Sequence, residues 1–184
     1  MLLTVEQIFI RPGQKRLMEA ADEIHGALKA AGGDDFNTLL HVYNTFRQSD
    51  RPKTWCRDNF VHFRSLSTAS KVRDQLEQIL SSQTKHTGHH AGKRRRLEPS
   101  SERDAVRKAL CFGYFDHVVR QAGTGFRTMD GHGSTVYVHP SSGLFETQQD
   151  HEWIIFHEVV RTSKTFMRTL TPIRYEWVKV RVPL

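Results

Sequence analysis

The 184-residue sequence places its chemically capable side chains in a few short stretches. In Arg161-Thr-Ser-Lys164, followed by Arg168, two guanidinium groups, an ammonium and two hydroxyls stand close together between runs of β-type residues. All of them donate hydrogen bonds, and donors of this kind hold phosphate oxygens rather than break bonds. His139-Pro-Ser-Ser142 brings an imidazole next to two hydroxyls. A serine nucleophile needs a base oriented by an acid and a backbone bent into an elbow. No such pattern surrounds these residues, and a turn whose hydroxyls satisfy backbone groups is expected. His151 and His157 flank Glu152 in a way that superficially resembles a zinc peptidase. That chemistry needs two histidines one helical turn apart, whereas these are six apart in a β-type run. His86, His89 and His90 lie in a polar tract that explains them without a metal. No catalytic residue and no metal site is expected.

The basic tip needs a scaffold, and the surrounding pattern supplies one. Gly123-Thr-Gly125 opens a strand over 126–129, and Asp130-Gly-His-Gly133 is a hairpin turn signal. Residues 135–139 form the next strand, with Val136 and Val138 on one face and Tyr137 and His139 on the other. Two more strands, 152–160 and 165–170, flank the tip, and a helical turn near 175–178 follows. Such a set reads as a small β-barrel presenting a basic loop, an arrangement that commonly holds single-stranded nucleic acid. Phe126, Tyr137 and Phe166 are candidates for stacking on bases, although a core position is the expectation for an aromatic on a small barrel.

The remainder reads as helical. Leu17, Ala20, Ala21, Ile24 and Leu28 recur at helical spacing before Gly32-Gly33. Leu39, Leu40, Tyr43 and Phe46 mark a second stripe, a short helix around 55–60 follows the Arg51-Pro52 break, and Leu66, Ala69, Val72, Leu76, Ile79 and Leu80 form a long third stripe opposite Lys71 and Arg73. Residues 82–102 lack apolar periodicity and are expected to be a disordered basic linker or inserted loop. Ser101 with Asp104 reads as a capping pair for a last helix, along which Val106, Ala109, Leu110, Gly113 and His117 share a face.

The net charge of +7 divides as +1 over residues 1–81, +3 over 82–102 and +3 over 103–184, so overall basicity argues little and local patches carry any nucleic-acid reading. No apolar run approaches the roughly 18–20 residues of a membrane span, and no membrane partner is expected. The N-terminus lacks a basic region followed by a long apolar stretch. Cys56 and Cys111 form no CxxC pair, which fits a reducing intracellular compartment.

The order of these segments resembles the C-terminal accessory region of the DEAH-box RNA helicases. The resemblance rests on Leu3-Thr-Val-Glu-Gln-Ile-Phe-Ile-Arg-Pro12, Gly33-Asp-Asp-Phe-Asn-Thr-Leu-Leu-His-Val-Tyr-Asn-Thr-Phe46, Trp55-Cys-Arg-Asp-Asn-Phe60, Ser65-Leu66 through Leu76, Val106-Arg-Lys-Ala-Leu-Cys-Phe-Gly-Tyr-Phe115, His139-Pro-Ser-Ser142 and Thr162-Ser-Lys-Thr-Phe-Met-Arg168. It covers nearly the whole chain except 82–102. Two departures stand out. Asp35 occupies the place of the family's usual His, and Gly143 follows His-Pro-Ser-Ser where a β-branched residue is more usual.

The resemblance implies an α+β chain in three parts: a helical bundle over 1–81 that is part of the family's ratchet domain, the basic linker over 82–102, and a helix with a small OB-fold β-barrel over 103–184. It implies an RNA-binding and regulatory accessory module. Such a module lines the channel for single-stranded RNA, packs against the two RecA-like lobes and docks glycine-patch activator proteins. Lys164, Arg168, Arg161, Thr162 and Arg73 are the implied RNA contacts, with Arg64 and Lys71 less favoured. ATP and Mg²⁺ belong to the helicase core. The phosphate loop G-x-x-x-x-G-K-[ST] is missing here, and Gly88-His-His-Ala-Gly-Lys93 has the wrong spacing and no hydroxyl. The chain by itself is expected to hold no cofactor and hydrolyse no ATP, because the lobes that carry those motifs are absent from it, as in a fragment or a divergent remnant of a helicase. Lys93-Arg94-Arg95-Arg96 resembles a short nuclear-import signal, and with the family's roles in RNA processing such as mRNA splicing it points to the nucleus. The alternative is a protein-interaction module derived from a helicase that no longer binds RNA.

Overall fold

The computed structural model describes residues 1–5, 7–87 and 99–182. Lys93–Arg96, His89 and His90 therefore lie outside the described residues. The chain divides into two compact units, Met1–Leu28 with Leu39–Arg96, and Lys29–Thr38 with Leu97–Leu184. The division falls inside two helices, so residues 29–38, expected with the N-terminal helices, group with the barrel.

The first unit is helical. A 3-10 turn at Leu2–Thr4 precedes α1 (Lys15–Gly32), α2 (Asp35–Gln48), α3 (Pro52–Asp58) and α4 (Phe63–Thr87). Pro52 opens α3, where its missing amide costs nothing. Apolar spacing on α2 and α4 builds the core: Val42, Tyr43, Phe46, Leu66 and Ala69 pack with Ile8, Cys56 and Val61. Burial pushes the Cys56 thiol up to about 11, so it stays protonated and acts as an apolar filler. The α4 stripe splits in two. Leu66 and Ala69 are buried, whereas Leu76, Ile79 and Leu80 are exposed. The helix also runs to Thr87, beyond the end of the apolar periodicity, and Ser82 Oγ returns a hydrogen bond to the Ile79 carbonyl at 2.8 Å.

The second unit is built on a closed five-stranded barrel with neighbours in the order β1-β2-β3-β5-β4. Its elements are α5 (Pro99–Gly113), β1 (Val118–Ala122), β2 (Gly125–Thr128), β3 (Thr135–Val138), β4 (Trp153–Arg161) and β5 (Thr165–Pro172), then a 3-10 turn at Tyr175–Trp177. All pairings are antiparallel except β3 with β5. The alternating residues Val119, Phe126, Val136, Val138, Ile154 and Phe156 fill the barrel with Leu144, Met167 and Leu170.

Three expectations need correction here. The helix ends at Gly113 rather than continuing to His117, and Val118–Ala122 is a strand that closes the barrel against β2 and β4. Gly123-Thr124 is the β1–β2 turn, with Gly123 at φ 61°, not the opening of a strand. The α5 helix begins at Pro99, so Ser101 lies within it rather than ahead of it. Asp104 instead binds Arg107 at 3.4 Å and Arg174 at 3.3 Å. Proline is well suited to the first helical turn and needs no capping serine after it.

The turn between α1 and α2 is the polar centre of this unit. Gly33 takes φ 85°, which ends α1. Asp34 is 1% exposed and caps α2, accepting from the Asn37 amide at 3.0 Å and Asn37 Nδ2 at 2.8 Å. It also accepts from Arg107 Nε at 3.1 Å and Nη2 at 2.9 Å. Asp35 accepts from Ser142 Oγ at 2.6 Å, the Gly143 amide at 2.7 Å and the Leu170 amide at 2.9 Å. Lys29 Nζ donates to the Ser141 carbonyl at 2.9 Å, and Arg103 Nη2 donates to the Ala31 carbonyl at 2.8 Å. The two departures from the family pattern, Asp35 and Gly143, are thus bonded to each other.

Asp35 also holds a strained point. The β4–β5 ladder skips His157 and Thr169 between the pairs Phe156↔Leu170 and Glu158↔Arg168. Thr169 has φ 55°, an outlier for a β-branched residue that costs about 1–2 kcal/mol. The break resets the alternation, so Met167 and Leu170, three residues apart, both enter the barrel core. Asp35 satisfies the Leu170 amide beside that break. Nearby, His157 Nδ1 lies 3.1 Å from Tyr114 Oη, and His117 stacks on Phe156 with centroids 4.8 Å apart. Burial pushes His157 below its ordinary value and Tyr114 above its own.

Asp35→Ala is expected to destabilise the second unit by about 3 kcal/mol, because charged acceptors contribute about 1.5–3 kcal/mol per bond and the Leu170 amide loses its partner. Asp35→Asn, keeping one acceptor oxygen, falls between. Amide hydrogen exchange at Gly143 and Leu170 checks this, and unchanged protection in Asp35→Ala would refute it. A second expectation concerns pH. Because the folded His157 binds its proton less readily than the unfolded residue at 6.5, its contribution is complete above about pH 6.5 and is lost as the pH falls through and below that value. His151, likewise lowered by burial, adds to the same loss. Urea unfolding between pH 7.5 and 5 (values spanning the ordinary His range of about 6.5) should show falling stability, with a smaller slope in His157→Gln. Equal slopes would contradict it.

Candidate nucleic-acid interface

The β4–β5 hairpin carries the basic tip. Arg161 pairs with Thr165 across the strands, and the Thr162 amide closes the turn on the Lys164 carbonyl at 2.9 Å. Residues 161–164 are all exposed. Beside them, β3 and β5 run parallel with Tyr137 opposite Phe166 and Val138 opposite Met167. Val138 and Met167 point into the core, so Tyr137 and Phe166 share the outer face. Their rings are 6.4 Å apart at 54°. Phe126, in contrast, is fully buried and belongs to the core, which removes it as a stacking candidate.

Each expected contact residue has a definite environment. Lys164 Nζ lies over the Tyr137 ring, 4.4 Å from its centroid, a cation–π contact of about 0.5–1 kcal/mol at an exposed site. Arg168 faces Glu158 at 3.7 Å, with its side chain 37% exposed. This ion pair between partly exposed groups is weak and yields readily to a stronger anion. Arg161 and Thr162 project at the tip, where the Thr162 hydroxyl is available to an acceptor. Arg73 belongs to the first unit, on α4, where it pairs with Glu77 at 3.2 Å and Asp74 at 3.7 Å. The structure brings Lys164 and Arg168 onto β5 and the tip with Tyr137, Phe166 and His139. Arg127, which sequence reading passed over, also stands exposed on β2 and donates to the Gly133 carbonyl at 3.1 Å.

The turn at His139–Ser142 is structural. His139 Nδ1 lies 2.7 Å from Ser141 Oγ and accepts from the Ser141 amide at 3.1 Å. Ser142 Oγ donates to Asp35 and accepts from the Leu144 amide at 3.1 Å. An acidic partner does therefore exist, which sequence reading did not foresee. It holds the hydroxyl of Ser142, whereas the His139 ring meets Ser141, so no acid–base–nucleophile relay forms. Among the described residues, no group of three or more His, Cys, Asp or Glu is placed to hold a metal ion. No described helix is long and apolar enough to cross a membrane.

Residues 106–183 match the family described as oligonucleotide/oligosaccharide-binding (OB)-fold. The chain is 38% identical over 185 aligned residues to the "Probable ATP-dependent RNA helicase DHX40" of Rattus norvegicus, and equally so to those of Pongo abelii and Homo sapiens. The alignments cover 99% of this chain and 23% of each relative, so the chain spans about a quarter of the length of these curated proteins. Over its whole length the chain is similar in sequence to the C-terminal region of a DEAH-box RNA helicase, and its closed five-stranded barrel agrees with the OB-fold match.

Proposed function

We propose that this chain serves as an RNA-binding and regulatory accessory module of a DEAH-box RNA helicase, guiding single-stranded RNA while RecA-like lobes supply ATP hydrolysis with Mg²⁺. The observation that carries the reading is the pairing of an OB barrel with exposed phosphate donors, Lys164 and Arg168, on one hairpin. Among the described residues, the Lys164 side chain meets a ring face and Arg168 a partly exposed carboxylate. Both contacts exchange for phosphate oxygens at little cost. Arg161 and Thr162 extend the same surface at the tip, and Arg73 contributes from α4 by exchanging Glu77 for phosphate. In this reading the module also lines the RNA channel and receives glycine-patch activators. Lys93–Arg96 direct it to the nucleus, where it serves RNA processing such as splicing.

The test is binding of a short single-stranded RNA by fluorescence anisotropy across a salt series. Affinity should fall linearly in log–log form with salt. Lys164→Ala and Arg168→Ala should each weaken binding several-fold and lower the salt slope by about 1. No binding at low salt, or variants indistinguishable from the parent, would sink the RNA reading in favour of a protein-interaction module without RNA binding.

A further inference from the structure

Away from the basic tip, the β1–β2 ribbon sets two cations side by side. Arg120 and Arg127 stand directly opposite each other across these antiparallel strands. Their neighbours Val119 and Phe126 fill the barrel core, so both arginines point outward, and both are exposed. Directly opposed side chains lie about 4.5–5.5 Å apart at Cβ, and like charges there repel. Each guanidinium is held in place. Arg120 donates through Nε and Nη2 to Glu152 Oε1, at 3.0 and 2.9 Å, and lies over the Trp153 ring, 5.3 Å from its centroid. Arg127 is held by one bond, from Nε to the Gly133 carbonyl at 3.1 Å. Gly133 takes φ 63°, and a Cβ there would come within 3.1 Å of Arg127 Nε, so the close approach calls for glycine. Among the described residues Arg127 enters no ion pair, and its two terminal nitrogens have no hydrogen-bond partner. The two arginines border an open cleft of about 580 Å³, whose other lining residues are Gln121, Ala122, Met129 and Glu152.

We propose that this cleft docks an acidic segment of a partner protein, with Arg127 receiving one Asp or Glu carboxylate. A guanidinium pinned at Nε and open at both terminal nitrogens is a preset fork for the two oxygens of a carboxylate. Recognition of acidic motifs by arginines is a recurring mode of peptide binding. A carboxylate taken there neutralises Arg127 and relieves its repulsion with Arg120. The charge of the lining selects the occupant. Two guanidiniums face one carboxylate, Glu152, which leaves a single positive charge to satisfy. One acidic side chain does so. A nucleic-acid strand brings a charge with every residue, and Glu152 repels the phosphates that follow the first. Ala122 and Met129 supply apolar contact for a side chain beside the acidic one. The occupant is therefore a protein segment with one acidic residue and an aliphatic neighbour. The cleft is a second surface, apart from the Lys164 and Arg168 donors, and its occupancy does not depend on the RNA reading.

The experiment titrates the full chain at low salt with the blocked peptide acetyl-Ala-Glu-Leu-Ala-amide and with its Gln counterpart, following arginine side-chain N–H signals by NMR. The Glu peptide should shift the Arg127 signal saturably, and the Gln peptide should bind about tenfold more weakly, as expected for loss of a charge-assisted contact. These two peptides decide the question on the unmutated chain, without any variant. Arg127→Gln should lose saturable binding of the Glu peptide. Arg127→Lys, which keeps the charge without the fork, should bind it several-fold more weakly than the parent. Affinity for a short single-stranded RNA should be unchanged in Arg127→Gln. Equal binding of the two peptides, or no saturable shift at Arg127, would overturn the proposal. So would a loss of RNA affinity in Arg127→Gln as large as that in Lys164→Ala, which would assign the cleft to RNA. Failure of the unmutated chain to bind RNA would instead overturn the reading of the tip, and the peptide result would stand.

Discussion

The second unit depends on two neighbouring carboxylates. Asp34 and Asp35 sit where α1 turns into α2, and between them they accept seven hydrogen bonds. Asp34 faces its own helix and Arg107 of α5. Asp35 faces the His139–Ser142 turn and the Leu170 amide. A buried carboxylate is costly unless its lone pairs are filled by well-placed donors. Here the donors come from a helix start, a neighbouring helix, a loop and a strand, so satisfying the charge also fixes the relation of those elements within the unit. This explains why a ten-residue segment, 29–38, comprising the end of α1, the turn and the start of α2, groups with the barrel rather than with the rest of those helices.

That constraint reaches the candidate interface through β5. The irregular Thr169 separates a barrel half of the strand, anchored at Leu170, from a hairpin half that ends in the basic tip. In the hairpin half Phe166 and Arg168 point outward and Met167 points in. The outward set faces Tyr137 and Glu158. The cations are thus held by weak, reversible partners, a ring face and a half-exposed carboxylate, on a scaffold held by strong ones. Such a division suits binding of a polyanion, where a rigid frame confines the ordering cost to the donor side chains themselves.

Much of this was legible in the sequence. The period-two alternation of Val136, Tyr137, Val138 and His139 announced β3 and its two faces, the Asp130–Gly133 signal placed a hairpin, and helical stripes with glycine and proline stops located α1 to α4. The misses have physical causes. Val118–Ala122 follows a helical stripe without a breaking proline, so its strand character appears only when β2 and β4 offer it edges. Exposure of Leu76, Ile79 and Leu80 was hidden, because an amphipathic stripe reports a capacity for burial and not a partner. Asp35 registered only as a departure from a pattern. Its donors Ser142, Gly143 and Leu170 are 107, 108 and 135 residues away in sequence, a separation at which no local rule operates.

The sequence by itself determined the order of helices and strands apart from β1, the basic tip and the resemblance to helicase C-terminal regions. The elements and the tip are written in spacing and composition among near neighbours, and the resemblance rests on motifs standing in the family's order. Only the tertiary structure decided that Ser142 serves an aspartate rather than a reaction, that Phe126 is core while Tyr137 is surface, and that Lys164 rests on a ring while Arg168 rests on a carboxylate. Those outcomes depend on which distant residues come within a few ångströms of each other. That is settled by barrel closure and by the need to satisfy buried polar groups, neither of which any single segment encodes.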